Sequence, residues 1–199
     1  MDMIEGKRGQ IIDAAVVEFR ENGFAGASMD RISARADVSK RTVYNHFESK
    51  DVLFRAILDV MAEQANRALD VAYIPGQPIR EQLITLGWAE GVLLTDPNFM
   101  KVARMVVGET MRDPVLAGEM NEKMARLAVF REFIEAAAQD GALSIDDLDR
   151  ATDQFLGLIK AQGFWPVIFT GEVVTQDQMT GIIDTTVDMF LKEYDARAA

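Results

Sequence analysis

Apolar residues recur at the spacing of an α-helix along nearly the whole chain, and this period limits the possible folds more than any other feature. The first example comprises Ile11, Ile12, Ala15, Val16 and Phe19, which fall on one face of a helix. No stretch alternates polar and apolar residues for long enough to indicate a β-strand. The sequence therefore predicts an all-α protein.

Stop and start signals divide this pattern into helices. Asn22-Gly23 ends the first helix, Ser28 and Ser39 can cap two short helices, and Ser49 can cap a fourth. The fourth helix is expected over about residues 50–71, with an inner face formed by Val52, Leu53, Ala56, Ile57, Val60 and Met61. Further helices are expected at about 79–95, 97–111, 115–140, 146–170 and 175–194.

The segment IPGQP at 74–78 interrupts the helical pattern more strongly than any other. It predicts an N-terminal domain over residues 1–55 and a larger helical domain over residues 72–199. The fourth helix, at about 50–71, is expected to connect the two.

Composition excludes several classes of site. The chain has no cysteine, so disulfides and thiolate metal sites are excluded, and its single histidine, His46, has no second histidine to share a metal. No nucleophile elbow or phosphate-binding loop is present, so we expect no enzymatic activity, no catalytic residues and no cofactor. The start of the chain lacks a signal-peptide core, and the apolar run FWPVIF at 164–169 is too short to span a bilayer. We therefore expect a cytoplasmic protein without a membrane partner.

The negative charge is unevenly distributed. The first 55 residues carry nine basic and nine acidic side chains, so the net charge of −11 arises beyond them. Because an acidic surface repels nucleic acid, any contact with nucleic acid must come from the neutral N-terminal part.

One stretch there, VSKRTVYNHFESK at 38–50, gathers basic and aromatic side chains around a single acid. On a helix that advances by ~100° per residue, Val43 and Phe47 share the inner face, whereas Arg41 and Asn45 point away from it. Two short helices, Ser28–Ala36 and Lys40–His46, joined by a three-residue turn, match a helix-turn-helix. The second helix would then enter the major groove of DNA.

Each outward residue type suits a particular contact with DNA. The guanidinium of Arg41 can donate to guanine O6 and N7, and Asn45 can pair with adenine. The hydroxyl and cationic groups around them can hold phosphates without reading the bases. The predicted DNA-binding residues are Ser28, Ser39, Lys40, Arg41, Thr42, Tyr44, Asn45, His46 and Lys50.

The stretch SMDRISARADVSKRTVYNHFESKDVLFRAIL resembles the DNA-binding domain of the TetR/AcrR family of bacterial transcriptional regulators. The resemblance covers roughly residues 8–57 and rests on Ser28, Ile32, Ala36, Val38, Ser39, Thr42, Tyr44, His46, Phe47, Lys50 and Leu53. Two positions depart from the family's pattern, because Asp37 and Arg41 stand where glycine is usual. Aspartate tolerates the left-handed conformation, and Arg41 should change the operator that is read rather than abolish binding.

The resemblance implies an all-α homodimer that binds a palindromic operator and is released, as a repressor, by a small apolar or amphipathic effector. The run QFLGLIKAQGFWPVIFTG at 154–171 is similar to the C-terminal domain of an AefR-like subgroup. An alternative remains open from the residues alone: a helical small-molecule-binding protein that does not use DNA.

Methionine and aromatic residues in the second domain could line an adaptable cavity for that effector, although each alone fits ordinary core packing. The predicted lining is Trp88, Met100, Met105, Glu109, Phe130, Phe133 and Phe155. The last two predicted helices are apolar around much of their girth, which favours a four-helix dimer interface over an intrachain core. The predicted interface residues are Leu158, Ile159, Phe164, Trp165, Ile168, Ile183, Val187 and Phe190.

Overall fold

The computed structural model describes residues 6–68, 70–125 and 129–196. Over these residues the prediction of an all-α fold is confirmed, and the only β-type pairing is an isolated antiparallel bridge between Leu143 and Asp195. The helices are α1 (Lys7–Gly26), α2 (Met29–Arg35), α3 (Lys40–His46), α4 (Lys50–Ala68), α5 (Ile79–Leu94), α6 (Pro97–Thr110), α7 (Pro114–Ala125), α8 (Val129–Gln139), α9 (Leu148–Gly163), α10 (Trp165–Thr170) and α11 (Gln176–Tyr194). None of the described helices is long and apolar enough to cross a membrane.

The starts of α2 and α4 are capped as predicted, whereas Asn22-Gly23, expected to end the first helix, only kinks it, and α1 continues to Gly26. The path of α1 breaks at Gly23, whose φ of 67° and ψ of 167° are not helical. The hydroxyl of Ser28 accepts the N–H of Arg31 at 3.2 Å, which caps α2. The hydroxyl of Ser49 accepts the N–H of Val52 at 3.3 Å and so caps α4.

Three expectations about the helices need correction or fall partly outside the described residues. The helix expected over 146–170 is two helices, α9 and α10, because Pro166 lacks an N–H and its ring clashes with the carbonyl four residues earlier. Val52, expected on the inner face of α4, is 40% exposed, whereas Leu53, Ala56, Ile57, Val60 and Met61 are buried. The helix expected over 115–140 includes residues 126–128, which lie outside the described part of the chain.

The chain forms two compact units. The first comprises the residues up to Gln64 together with Lys101–Met124, and the second comprises Ala65–Met100 together with the residues from Ala125 onward. The division falls inside α4 and α6. It therefore groups most of α6, from Lys101 onward, and α7 up to Met124 with the predicted DNA-binding helices.

An aromatic cluster forms the centre of the first unit. The ring of Phe24 lies 5.5 Å from those of both Phe19 and Phe54, and Phe19 and Phe54 are 5.8 Å apart, measured between ring centroids. Phe19 and Phe54 are almost completely buried. Such contacts favour tilted and edge-to-face rings and hold α1 against α4.

A buried carboxylate fastens α2 to α1. The side chain of Glu18 has no exposed surface, and its two oxygens accept from Arg31 Nε at 2.5 Å and Arg35 Nε at 3.1 Å. Burial by itself raises the pKa of Glu18, but the hydrogen bonds from Arg31 and Arg35 outweigh it, so the pKa lies below the usual 4.5. Arg35 also pairs with Glu21. The carboxylate thus stays charged and bridges two turns of α2.

Ion pairs join α4 to α7 on the outside of the first unit. Arg55 donates to both oxygens of Glu119, at 2.7 and 2.9 Å. Lys123 pairs with Asp59 one turn further along α4. Because these side chains are partly exposed, water and salt screen both pairs, which therefore contribute little to stability.

In the second unit, α5, α9 and α11 approach one another closely. A Cβ atom on Gly87 would lie 2.9 Å from Ile183, and one on Gly163 would lie 2.8 Å from Met179. Only glycine permits these separations without a shift of the neighbouring side chain. The ring of Phe155 completes this core, packing edge-on against Phe190 with centroids 5.2 Å apart.

We expect Glu18→Ala to lower the free energy of unfolding of the first unit by about 1.5–3 kcal/mol, because hydrogen bonds to two charged groups are lost inside the protein. Urea unfolding followed by far-UV circular dichroism measures this difference. Glu21→Ala is the matched control, since Glu21 is mostly exposed and its loss should change stability by less than about 1 kcal/mol. Equal effects of the two substitutions would contradict the assigned role of Glu18.

The lowered pKa of Glu18 also predicts a pH dependence. A carboxyl group with a depressed folded-state pKa stabilises the fold fully above its unfolded value, 4.5, and loses this contribution as pH falls through the folded value. The stability difference between the wild type and Glu18→Gln should therefore shrink below about pH 4.5. Unfolding experiments at pH 7 and pH 3.5 test this prediction.

Candidate nucleic-acid interface

The turn between α2 and α3 has the geometry of a Schellman motif. Asp37 adopts the left-handed conformation with φ of 49°. The N–H of Val38 bonds to the carbonyl of Ser33 at 3.1 Å, and that of Asp37 to the carbonyl of Ala34 at 3.4 Å. Aspartate therefore occupies the glycine-like position, as expected from the sequence.

The orientation of α3 agrees with the helical-wheel analysis. Val43 and Phe47 are buried, with 0% and 2% of their surface exposed. Arg41 and Asn45 are exposed on the opposite side, and Tyr44 beside them is half exposed. The two side chains suited to base edges thus project from the first unit.

Hydroxyl groups surround this face and keep donors for an incoming phosphate. Ser39 Oγ accepts the N–H of Thr42 at 3.1 Å and shares a hydrogen bond of 2.8 Å with Thr42 Oγ1. Since one proton serves that bond, the other hydroxyl proton can still be donated. Ser28 Oγ accepts from Arg31 and likewise retains its own proton.

Lys40 and His46 lie at the two ends of α3. The ammonium of Lys40 is 2.6 Å from Asp30 on α2, and both side chains are largely exposed. A phosphate would have to compete with Asp30 for Lys40. His46 is exposed, and no group of His, Asp or Glu suited to a metal ion occurs among the described residues.

The structure gives Lys50 a role that differs from the expected phosphate contact. Its ammonium donates to the carbonyls of Phe24 at 2.9 Å, Ala25 at 3.2 Å and Ala27 at 3.0 Å. It also lies 5.0 Å from the centroid of the Phe24 ring. Because an ammonium has three protons, all of them serve this turn and none remains for DNA. The carbonyl partners precede Lys50 by more than twenty residues, so local patterns could not show them.

Arg8 is a basic residue near α3 that the sequence analysis did not single out. Its guanidinium carbon lies 5.3 Å from the centroid of the Phe47 ring, and the ring of His46 flanks the same phenylalanine at 6.3 Å. Arg8 is the second residue of α1 and is separated from α3 by more than thirty residues. Only the absence of acids in the first turn of α1 could have drawn attention to it.

The predicted effector-lining residues fall in both compact units. Met105 and Glu109 belong to the first unit, where Glu109 accepts the N–H of Phe24 at 3.3 Å and pairs with Arg112 at 3.1 Å. Glu109 therefore already has partners within the protein. The other five belong to the second unit, where Trp88 is half-buried and Met100, Phe130, Phe133 and Phe155 are buried.

Two of these aromatic residues are neighbours. The rings of Phe130 and Phe155 lie 6.3 Å apart between centroids, whereas Phe133 instead packs edge-on against Tyr73 at 5.6 Å. The second unit therefore offers an aromatic interior around Phe155. The assignment of these side chains to an effector site stays a prediction.

The predicted dimer interface needs correction for five of its eight residues. Ile159, Ile168, Ile183, Val187 and Phe190 are buried within the chain, so they are not available to a partner subunit. They lie on the faces by which α9 and α11 pack on each other and on α5, and by which α10 packs on α9. The remaining three, Leu158, Phe164 and Trp165, are at least partly exposed.

Comparison with known proteins decides the family. Residues 11–57 match the family model of bacterial regulatory proteins of the TetR family, and residues 81–196 match that of the AefR-like transcriptional repressor C-terminal domain. The chain belongs to the TetR family. It is therefore a helix-turn-helix transcriptional regulator, and the resemblance seen in the sequence is confirmed.

Individual relatives agree over most of the chain. A TetR family transcriptional regulator from Pseudomonas syringae pv. tomato is 38% identical, with a TM-score of 0.80 over 96% of this chain and 98% of its own. The flavonoid-responsive regulator FrrA is 28% identical, with a TM-score of 0.71 over 96% of this chain and 98% of its own. The HTH-type transcriptional repressor SCO4008 of Streptomyces coelicolor is 28% identical over 82% of this chain and 80% of its own.

The three bonds of Lys50 predict a structural effect of its removal. We expect Lys50→Ala to lower the melting temperature by about 3–8 °C, because three carbonyls lose a charged donor. Lys40→Ala, which removes an exposed ion pair, is the control and should shift the melting temperature by about 2 °C or less. Differential scanning fluorimetry makes the comparison, and an unchanged melting temperature in Lys50→Ala would refute this role.

Proposed function

We propose that the protein is a repressor that binds a palindromic operator as a homodimer in the cytoplasm and is released by a small apolar or amphipathic effector. The observation that carries the DNA-binding part is the orientation of α3. This helix buries Val43 and Phe47 and leaves Arg41 and Asn45 exposed. Such an orientation presents one guanidinium and one carboxamide to base edges in a major groove.

The surrounding groups support the same proposal. Ser28 and one hydroxyl of the Ser39–Thr42 pair keep a proton that can be donated to phosphate, and Lys40, Tyr44 and His46 are exposed. Lys50 contributes indirectly, by fixing the turn that precedes α2. The residues proposed to contact DNA are therefore the predicted ones except Lys50, which instead stabilises the turn before α2.

The first experiment is to select fragments from a random DNA pool with the purified protein and to sequence those retained. We expect an inverted repeat whose half-sites are separated by about one helical turn or a small multiple. Retention of no specific sequence would contradict the proposal and favour the alternative, a small-molecule-binding protein that does not use DNA.

Arg41→Ala should weaken binding to the selected operator by about 1–3 kcal/mol and relax the preference at one base pair of each half-site. Arg20→Ala is the matched control, since Arg20 is an exposed arginine on α1 and should leave affinity and preference nearly unchanged. Fluorescence anisotropy with single-base operator variants measures both effects. Identical base preferences for Arg41→Ala and the wild type would exclude α3 from the groove.

The homodimer part of the proposal uses the apolar surface that the chain leaves exposed on α9 to α11. Phe169 is 70% exposed, Met189 50% and Trp165 45%, and Leu158 and Phe164 are partly exposed. Large apolar side chains grouped on neighbouring helices are typical of subunit interfaces. A second copy of the chain is the partner we propose, because an isologous contact places two α3 helices on one palindrome.

Phe169→Glu should convert the dimer to a monomer at micromolar concentration and abolish tight operator binding. Val115→Glu is the control, because Val115 in the first unit is 68% exposed and lies outside the proposed interface. Analytical ultracentrifugation gives the masses. A wild type that sediments as a 22.1 kDa monomer would overturn this part of the proposal.

The effector part rests on the aromatic interior of the second unit and on one relative. Phe130 and Phe155 are buried side by side, and such rings can pack against a flat apolar ligand. The relative FrrA is described as flavonoid-responsive. A flavonoid aglycone is therefore the first compound to test, by its ability to raise the melting temperature and to release the selected operator.

A further inference from the structure

The turn between α1 and α2 is held by two opposite charges from two different helices. The chain leaves the helical path at Gly23, and α2 begins at Met29 after the cap Ser28. From α4, Lys50 donates to the carbonyls of Phe24, Ala25 and Ala27. From α6, Glu109 accepts the N–H of Phe24 at 3.3 Å. This turn, Gly23–Ala27, consists of the last residues of α1 from its kink onward and the cap Ala27. It is thus held both at its carbonyl oxygens and at an N–H group.

Glu109 is placed so that it touches the turn at its most constrained point. Its side chain is only 15% exposed, and a Cβ atom on Gly23 would lie 3.8 Å from Glu109 Oε1. Gly23 has φ of 67°, a conformation that side chains other than glycine rarely adopt. The N–H that follows Gly23 therefore points at the carboxylate instead of continuing the hydrogen bonding of α1.

The contact of Glu109 is weaker and more adjustable than that of Lys50. The bond to Phe24 is long, at 3.3 Å, and the same oxygen also accepts from Arg112 at 3.1 Å. The ring of Phe24 packs on Phe19 and Phe54, and these ring contacts do not involve Glu109. A displacement of α6 could therefore break the bond between Glu109 and Phe24 while the aromatic cluster stays packed. The bond can thus affect the position of the turn without being required for folding of the first unit.

The turn leads directly into the helices that bind DNA. Ser28, one residue after it, caps α2 and belongs to the proposed phosphate-binding group. The Schellman turn at Asp37 then joins α2 to α3. A shift at Phe24 therefore moves the entry to α2 and the phosphate-binding hydroxyl together.

We propose that Glu109 is a positioning residue for DNA binding, through which α6 sets the turn Gly23–Ala27 and, with it, the α2–α3 pair. This inference rests on the proposed binding of an operator by α3. It replaces the expectation that Glu109 faces the effector. Glu109 itself does not touch DNA in this proposal.

Three variants separate positioning from charge. Glu109→Ala removes both the acceptor and one negative charge, whereas Glu109→Gln removes the charge and keeps an oxygen that can accept from Phe24. Glu119→Ala removes a negative charge and the ion pair with Arg55 but does not touch the turn. Loss of a negative charge alone should strengthen binding to a polyanion. If Glu109 acts only through its charge, Glu109→Ala should therefore raise the affinity for DNA, whereas if it positions the turn, Glu109→Ala should lower that affinity.

We expect Glu109→Ala to weaken affinity for the selected operator by about three- to tenfold, the effect of one ordinary hydrogen bond, because the bond to Phe24 is long. Glu109→Gln and Glu119→Ala should bind as tightly as the wild type or slightly more tightly. Hydrogen–deuterium exchange should be faster in the peptide that contains residues 23–27 of Glu109→Ala and unchanged there in the other two variants.

The outcomes distinguish failure of this inference from failure of the proposed function. If the wild type binds the operator and Glu109→Ala binds equally well or better, the positioning role is overturned. Equal weakening in Glu109→Gln or in Glu119→Ala would also overturn it, since neither removes the acceptor for Phe24. If the wild type binds no DNA, the proposed function fails. In that case, unchanged hydrogen–deuterium exchange of residues 23–27 in Glu109→Ala would still show that Glu109 does not hold the turn.

Discussion

The proposed DNA-binding face depends on one buried carboxylate. Glu18 lies on α1 with no exposed surface and binds Arg31 and Arg35, one turn apart on α2. An ion removed from water is tolerated only where its partners replace the lost hydration, and two guanidinium groups do so here. This contact fixes α2 against α1, and the turn at Asp37 then fixes α3 against α2. The exposure of Arg41 and Asn45 follows from these two constraints.

The parts of the site that depend on neighbours in the sequence could be predicted. The caps at Ser28 and Ser39, the break at Gly23 and the left-handed Asp37 involve bonds within five residues. The burial of Val43 and Phe47 follows from helical period alone. Family membership could also be recognised, because these local features fall in register within one stretch of about thirty residues.

The parts that depend on distant contacts could not be predicted. The sequence does not show the bonds of Lys50, because its carbonyl partners precede it by more than twenty residues. Likewise, Glu109 binds a backbone N–H that is 85 residues away. The apolar period predicts Ile183 and Phe190 at a subunit interface, although both pack inside the chain. The hydrophobicity of a helix face indicates that another element covers this face, but it does not indicate which element. Only the tertiary arrangement separates the inner face from Trp165 and Phe169.

The arrangement around Lys50 limits which residues this position can accept during evolution. Its ammonium is compact and directs three protons toward three carbonyl oxygens that converge on one point. A guanidinium is planar and wider, so its donors form a flat fork that cannot match this convergence. Replacement of Lys50 by arginine, usually regarded as conservative, should therefore be poorly tolerated. Variants of this sequence that fold and function should retain lysine at the start of α4.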